Sequence, residues 1–150
     1  MRWLILPVFG LMVLPACQSS DSKPFAANQK KSGQERITDS SRFTTIQWLD
    51  STNRNFGKIA EGQKLEVTYK FRNSGDQPLV IERVQPSCGC TVAEQPTEPI
   101  APGKEGVIKA LFASENHPGQ NNKTLYVFAN TKGSRNHELR FAVDVEKKKW

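Results

Sequence analysis

Strict alternation of apolar and polar side chains after residue 43 limits the fold of this chain more than any other feature of its sequence. The clearest run sets Leu65, Val67, Tyr69 and Phe71 between charged or hydroxyl-bearing residues. A period of two places apolar side chains on one face of a β-strand, so such a strand has one buried face and one solvated face. The same pattern recurs at Ile108, Ala110 and Phe112 and at Leu139, Phe141, Val143 and Val145.

Turn-forming sequences separate these runs and complete an all-β pattern. Turns are predicted at 73–78, 102–103, 118–119 and 132–134, where Gly, Pro, Asn and Ser are concentrated. Further strands are predicted at 44–49, 79–81 and 125–130, with short edge pieces at 56–59 and 91–93. No segment has a helical period. Residues 43–146 are therefore expected to fold as an immunoglobulin-like β-sandwich of about seven strands.

The N-terminus has the features of a bacterial lipoprotein signal peptide. Arg2 precedes an apolar run over residues 3–14, which has the length of a signal-peptide core and is too short to cross a bilayer. The run ends in Leu14-Pro15-Ala16-Cys17, which resembles a bacterial lipobox. This resemblance implies removal of residues 1–16, attachment of diacylglycerol to the Cys17 thiol and acylation of the new amine.

The remaining segments complete the expected organisation. Residues 17–42 carry the lipid and form a polar, flexible stalk, because so few apolar residues cannot offset the entropy of ordering. Residues 147–150 form a basic tail. We expect a protein anchored by lipid to a bacterial membrane, in the cell envelope and facing the periplasm or the exterior. The net charge of +6 comes without a nucleic-acid-binding motif, so nucleic acid is not an expected partner.

The order of short motifs along the sandwich segment resembles a known family. It is the uncharacterised bacterial family of short exported proteins with a Ser-Cys-Gly-Cys-Thr turn, many of them lipoproteins. The resemblance implies an immunoglobulin-like fold, similar to the ASH and major sperm protein type of module, and it implies no particular activity. The matching residues are Phe56-Gly57-Lys58-Ile59, Phe71, Asn73, Gly75, Pro78-Leu79, Ile81, Val84, Ser87-Cys88-Gly89-Cys90-Thr91, Pro102-Gly103, Gly106, Gly119, Lys123 and Asn130.

Cys88 and Cys90 are the two thiols that remain once Cys17 is lipidated, and they are the candidate disulfide or thiol site. An extracytoplasmic compartment tends to oxidise thiols. A bond between residues two apart needs the backbone to turn, which Gly89 permits because it lacks a Cβ atom.

Three roles for this cysteine pair stay open at this stage. The pair pins a turn, exchanges disulfides, or holds a soft metal ion. The redox role is weakened because no His, Lys or Arg lies within three residues to favour a thiolate. The metal role is weakened because His117 and His137 lie in predicted loops, without ligand spacing. No metal and no cofactor is therefore expected.

The sequence contains no phosphate loop, metalloprotease motif or nucleophile elbow, so no catalytic residue is assigned and the protein is not expected to be an enzyme. The expected function is that of a binding or scaffolding domain, with the membrane and an envelope protein as partners. The alternative is a thiol-redox or metal-handling lipoprotein that acts through Cys88 and Cys90. The sequence does not determine the oligomeric state.

Overall fold

The computed structural model describes residues 38–148, which form eight β-strands preceded by a short 3-10 turn at Ser40–Arg42. The predicted signal peptide, Cys17 and most of the predicted stalk lie outside the described residues, as do the last two residues of the predicted tail. The strands are β1 (Ile46–Trp48), β2 (Asn53–Ala60), β3 (Lys64–Asn73), β4 (Ile81–Pro86), β5 (Thr91–Glu94), β6 (Glu105–Ala113), β7 (Gly119–Ala129) and β8 (Asn136–Glu146).

The strands form two four-stranded sheets. The first sheet has the order β1-β3-β6-β5, and the second has the order β2-β8-β7-β4. All neighbours are antiparallel except β2 and β8, which run parallel. The all-β sandwich prediction is confirmed, with eight strands because the two predicted edge pieces become the full strands β2 and β5. Among the described residues, no helix has the length and apolar character needed to cross a membrane.

The core lies between the two sheets, where the alternation in the sequence predicts it. Val67, Tyr69 and Phe71 of β3 are completely buried. They face the apolar side chains of β7 and β8 in the same cluster, and the rings of Phe112 and Phe141 meet edge to face across the sheets, with centroids 6.1 Å apart. The strict period of two therefore has a direct cause, since every second side chain of the central strands enters one shared core.

Ser40–Arg42, at the end of the predicted stalk, form a capped 3-10 turn. The Asp39 carboxylate accepts a hydrogen bond from the backbone N–H of Ser41, at 2.9 Å, and so caps the turn at Ser40–Arg42. Hydrogen bonds from the Ser41 hydroxyl and from the Ser41 backbone N–H lower the pKa of the Asp39 carboxyl. The backbone N–H of Thr44 then donates to the carbonyl of Asn130, at 3.0 Å, which ties the chain to the sandwich.

Candidate functional site at the Cys88–Cys90 turn and the β5 edge

A disulfide joins Cys88 and Cys90 in the turn that leads from β4 to β5. The two Cα atoms lie 5.3 Å apart, within the range that disulfides normally span. Both cysteines are half-buried, and Cys90 packs against the hydrophobic core. The turn thus carries the chain from the second sheet to the first, with a covalent link across its tip.

Gly89 does not have the role that the sequence analysis gives it. Its φ angle lies outside the left-handed region, and a Cβ atom added to it would meet no atom within 4 Å. The backbone turns here without exploiting the conformational freedom of glycine. The disulfide and the hydrogen bonds on either side of it therefore fix the turn.

Those hydrogen bonds fix the turn on both sheets. On the second sheet, the backbone N–H of Ser87 donates to the carbonyl of Thr124 at 2.8 Å, and the N–H of Thr124 donates to the Ser87 hydroxyl at 3.1 Å. On the first sheet, the N–H of Ala113 donates to the carbonyl of Cys90 at 2.9 Å. The position of the two sulfur atoms is therefore set by β7 and β6.

A lysine distant in the sequence lies at the same end of the β4–β7 ladder as the cysteine turn. Pro86 pairs with Leu125, and the Ser87 N–H bonds to the Thr124 carbonyl, so Lys123 is the next residue of β7 beyond these contacts. Lys123 shares the inward face of β7 with the buried Leu125, because side chains alternate along a strand.

The Lys123 ammonium lies inside this end of the sandwich, over an aromatic ring of the opposite sheet. Its Nζ atom is 5.2 Å from the centroid of the Phe112 ring. Phe112 pairs with Thr91, whose hydroxyl oxygen lies 3.6 Å from Sγ of Cys88. Lys123 is not among the site residues predicted from the sequence, because it lies far from both cysteines along the chain. The sequence feature that indicates Lys123 is its position in β7, where the alternating pattern places an inward-facing side chain.

The two histidines have different contacts. The His117 ring packs edge to face against Phe112, with centroids 5.9 Å apart, on the same ring that Lys123 covers. The prediction of a loop position is wrong for His137, which lies in β8, half-buried, with its ring against that of Trp48. Its Nε2 atom hydrogen bonds with Thr131 at 2.8 Å, and burial lowers the pKa of His137. Within residues 38–148, no three His, Cys, Asp or Glu side chains gather in an arrangement suited to a metal ion.

An apolar patch lies just after the disulfide, on the outer face of the first sheet. Val92 of β5 is 64% exposed and Leu111 of β6 is 41% exposed, and the two are direct cross-strand partners. Glu94 pairs with Lys109 two positions along, and Glu66 of β3 lies on the other side of Leu111. These residues line a shallow depression of about 230 Å³. We call Val92, Leu111, Glu94, Lys109 and Glu66 the β5 patch.

The patch borders an edge of the sheet, because β5 pairs only with β6 among the described strands. Cys90 shares a backbone hydrogen bond with Ala113, so the backbone groups of Val92 and Glu94 also face β6. The backbone N–H and C=O groups of Ala93 consequently point to the outer edge. An exposed edge with apolar side chains beside it is a template for another strand.

Comparison with known proteins identifies the family of the chain. Residues 47–145 match the family model described as a protein of unknown function, DUF1573. The chain belongs to the DUF1573 family. The resemblance drawn from the motifs is thus confirmed. No curated protein matches this chain.

Solved structures place this DUF1573 domain among immunoglobulin-like folds. It is similar to a protein of unknown function from Porphyromonas gingivalis W83, with a TM-score of 0.60, 13% identity and 71% of the chain covered. The chain spans 49% of that protein. It is also similar to the secreted serine protease VesC from Vibrio cholerae, with a TM-score of 0.50, 13% identity and 71% coverage, against 24% of VesC.

A human domain gives a further similarity. The ASH / PapD-like domain 7 of human CEP192 has a TM-score of 0.47 and 12% identity, with 77% of this chain and 92% of that domain covered. At these identities, the likeness concerns the fold and leaves the activity open.

Several family-motif residues have clear structural roles in this DUF1573 domain. Asn73 is buried, donates to the carbonyls of Gln77 and Ile100 at 2.8 Å, and accepts from the Thr44 hydroxyl at 2.8 Å. A Cβ atom on Gly106 would lie 2.5 Å from Cζ of Phe71, so only glycine fits there. The cysteine pair and Lys123 differ from these structural residues, because a disulfide and an ammonium group can also react with or bind another molecule.

Proposed function

We propose that this protein is a lipid-anchored module of the bacterial cell envelope that binds a partner protein at the edge of β5. The observation that carries this proposal is the exposed pair Val92 and Leu111 beside an unpaired strand edge. The lipobox at Cys17 supports the anchor and the location, facing the periplasm or the exterior. The polar segment after Cys17 supports a tether that lets the domain reach its partner.

The proposed partner supplies an extended segment that adds to β5 as a new outer strand. Backbone groups of Ala93 provide the main-chain hydrogen bonds, and the side chains of Val92 and Glu94 provide specificity. Cross-strand neighbours of these two residues lie on one face, two positions apart. An apolar residue suits Val92 and a basic residue suits Glu94, so the partner segment carries an aliphatic residue and a basic residue with one residue between them.

The charges of the β5 patch support a basic residue in the partner segment. The β5 patch contains two carboxylates, on Glu66 and Glu94, and one ammonium group, on Lys109. Opposite charges across neighbouring strands stabilise a pair by about 0.2–1 kcal/mol, and like charges placed opposite each other destabilise it. The patch therefore favours a basic segment over an acidic one, although the whole protein is basic.

The experiment compares synthetic six-residue peptides in which a valine is followed two positions later by lysine or by glutamate. With the full-length protein in detergent, the lysine peptide should bind more tightly, by roughly three- to tenfold. Glu94→Lys should reverse the preference, whereas Val92→Asp should weaken both peptides. Glu98→Lys is the matched control, because it makes the same charge change at an exposed position away from the patch. Equal effects of Glu94→Lys and Glu98→Lys would refute the proposed site.

A second candidate function is thiol–disulfide exchange at Cys88 and Cys90. The observation that favours it is a half-buried disulfide between residues two apart, with the Thr91 hydroxyl 3.6 Å from Sγ of Cys88. The metal-handling form of this alternative requires reduced cysteines, and for zinc it requires two further ligands. The described residues do not gather such ligands around the turn.

A further inference from the structure

Lys123 is unusual among the lysines of the described part of the chain. It is half-buried with its ammonium group over the Phe112 ring, and no ion pair joins it to a carboxylate within residues 38–148. A cation–π contact offsets part of the cost of burying a charge. The ammonium group therefore retains the capacity to stabilise an anion at this end of the sandwich.

Sγ of Cys88 is where an anion would form when the disulfide is reduced. The hydroxyl of the buried Thr91 lies 3.6 Å from this sulfur, and Thr91 pairs with Phe112, whose ring lies under the Lys123 ammonium. A hydroxyl donor and a nearby cation both favour a thiolate over a thiol. The two sulfurs of the disulfide are thus unequal, and Cys88 is the better leaving group.

We propose that the turn exchanges its disulfide with dithiols, with Lys123 and Thr91 stabilising the thiolate that leaves at Cys88. This inference rests on the second candidate function, which it makes specific. The substrate class is a protein or small molecule with two neighbouring thiols. Lys123 is a positioning residue, which acts by stabilising the negative charge on Cys88. The β5 patch lies directly after the turn, so a dithiol-bearing segment bound there reaches the sulfurs.

The proposed thiol–disulfide exchange takes place in two steps. A substrate thiolate attacks Sγ of Cys90, a mixed disulfide forms, and the bond to Cys88 breaks with its electron pair leaving on Sγ of Cys88. The second substrate thiol then loses its proton and attacks the substrate sulfur of the mixed disulfide, which releases Cys90 as a thiolate. The substrate is oxidised to a disulfide, the turn is reduced to two thiols, and the two protons pass from substrate to protein.

The test uses the full-length protein in detergent, with dithiothreitol as the dithiol. Folded protein should reach an exchange equilibrium, measured by mass spectrometry after thiol alkylation. Lys123→Met keeps most of the side-chain volume and removes the charge. It should slow alkylation of Cys88 at neutral pH roughly tenfold, in a Cys90→Ser background, and should shift the pH profile of alkylation upward.

Two controls separate electrostatics from packing. Lys123→Arg should restore the alkylation rate, and Lys70→Met, at an exposed position of β3, should leave it unchanged. If the disulfide opens only after unfolding in urea, thiol exchange itself is refuted. If it opens in the folded protein but Lys123→Met behaves like Lys70→Met, exchange stands and the role of Lys123 is refuted.

Discussion

Replacing Asn130 with alanine should destabilise the sandwich by about 3 kcal/mol. The Asn130 amide is completely buried, and its Nδ2 donates to the carbonyls of Arg42 and Pro78 at 2.7 and 2.9 Å. Its Oδ1 accepts from the backbone N–H of Val80 at 2.7 Å. The substitution leaves three backbone groups without this partner. Each costs about 1–3 kcal/mol, with the lower end appropriate because Arg42 and Pro78 are exposed enough for water to reach.

Urea unfolding and thermal melting of the full-length protein in detergent give the measurement. For a domain of this size, about 3 kcal/mol corresponds to a fall in Tm of roughly 12–24 °C. Asn122→Ala is the matched control, because Asn122 is an exposed asparagine of β7, the strand that ends immediately before Asn130. A difference of less than about 1 kcal/mol between the free energies of unfolding of the two variants would refute this prediction, since Asn130 would then not hold the surrounding loops together.

Three further predictions concern the anchor, the core and the response to pH. Cys17→Ser should move the protein from the membrane fraction to the soluble fraction, and full retention in the membrane would disprove the lipid anchor. Gly106→Ala should lower the free energy of unfolding by about 1–3 kcal/mol, because the new methyl group collides with the Phe71 ring; a neutral effect in urea unfolding would mean that the ring moves aside freely. Burial lowers the pKa of His137 below 6.5, so the unfolded chain binds this proton more readily and stability falls as the pH drops below 6.5 towards the folded pKa. His137→Gln should reduce that loss between about pH 7.5 and about pH 5 in urea unfolding, and an unchanged slope would exclude His137 as its source.

The strands that build the core follow from the sequence because their pattern is local. In β3, Val67, Tyr69 and Phe71 alternate with solvated residues, and a period of two is visible without any tertiary information. The two edge strands are also predictable as short pieces. The parallel pairing of β2 with β8 is not, since it joins segments more than 80 residues apart and depends on how the sheets close around the core.

The candidate site is only half predictable, for the same reason. Cys88 and Cys90 are conspicuous in the sequence, as a thiol pair with one residue between them. Lys123 lies at this end of the sandwich because the ladder between β4 and β7 ends beside it, and such register is set by long-range packing. His137 shows the reverse error, because a histidine close to a glycine-containing turn resembles a loop residue, although β8 begins at Asn136 and includes it.

Some residues of the domain stabilise the fold, and others are placed to contact a partner. Asn73, Asn130 and Gly106 hold the loops and the close packing of the sheets, and their side chains have no exposed chemistry to offer. The disulfide turn and the β5 patch lie next to each other at one edge of the first sheet. The apolar pair and the disulfide are therefore separated by few residues along the chain.

The most direct test of the account is photo-crosslinking in living bacteria, with a photoreactive amino acid in place of Val92 in the full-length protein. Gln85, exposed on the outer face of the other sheet, is the control position. We expect Val92 to be crosslinked to recurring segments that carry an aliphatic and a basic residue two positions apart, and Glu94→Lys to reduce the yield of these products by roughly three- to tenfold. Equal products from both positions, or segments without this pattern, would contradict binding at the β5 edge.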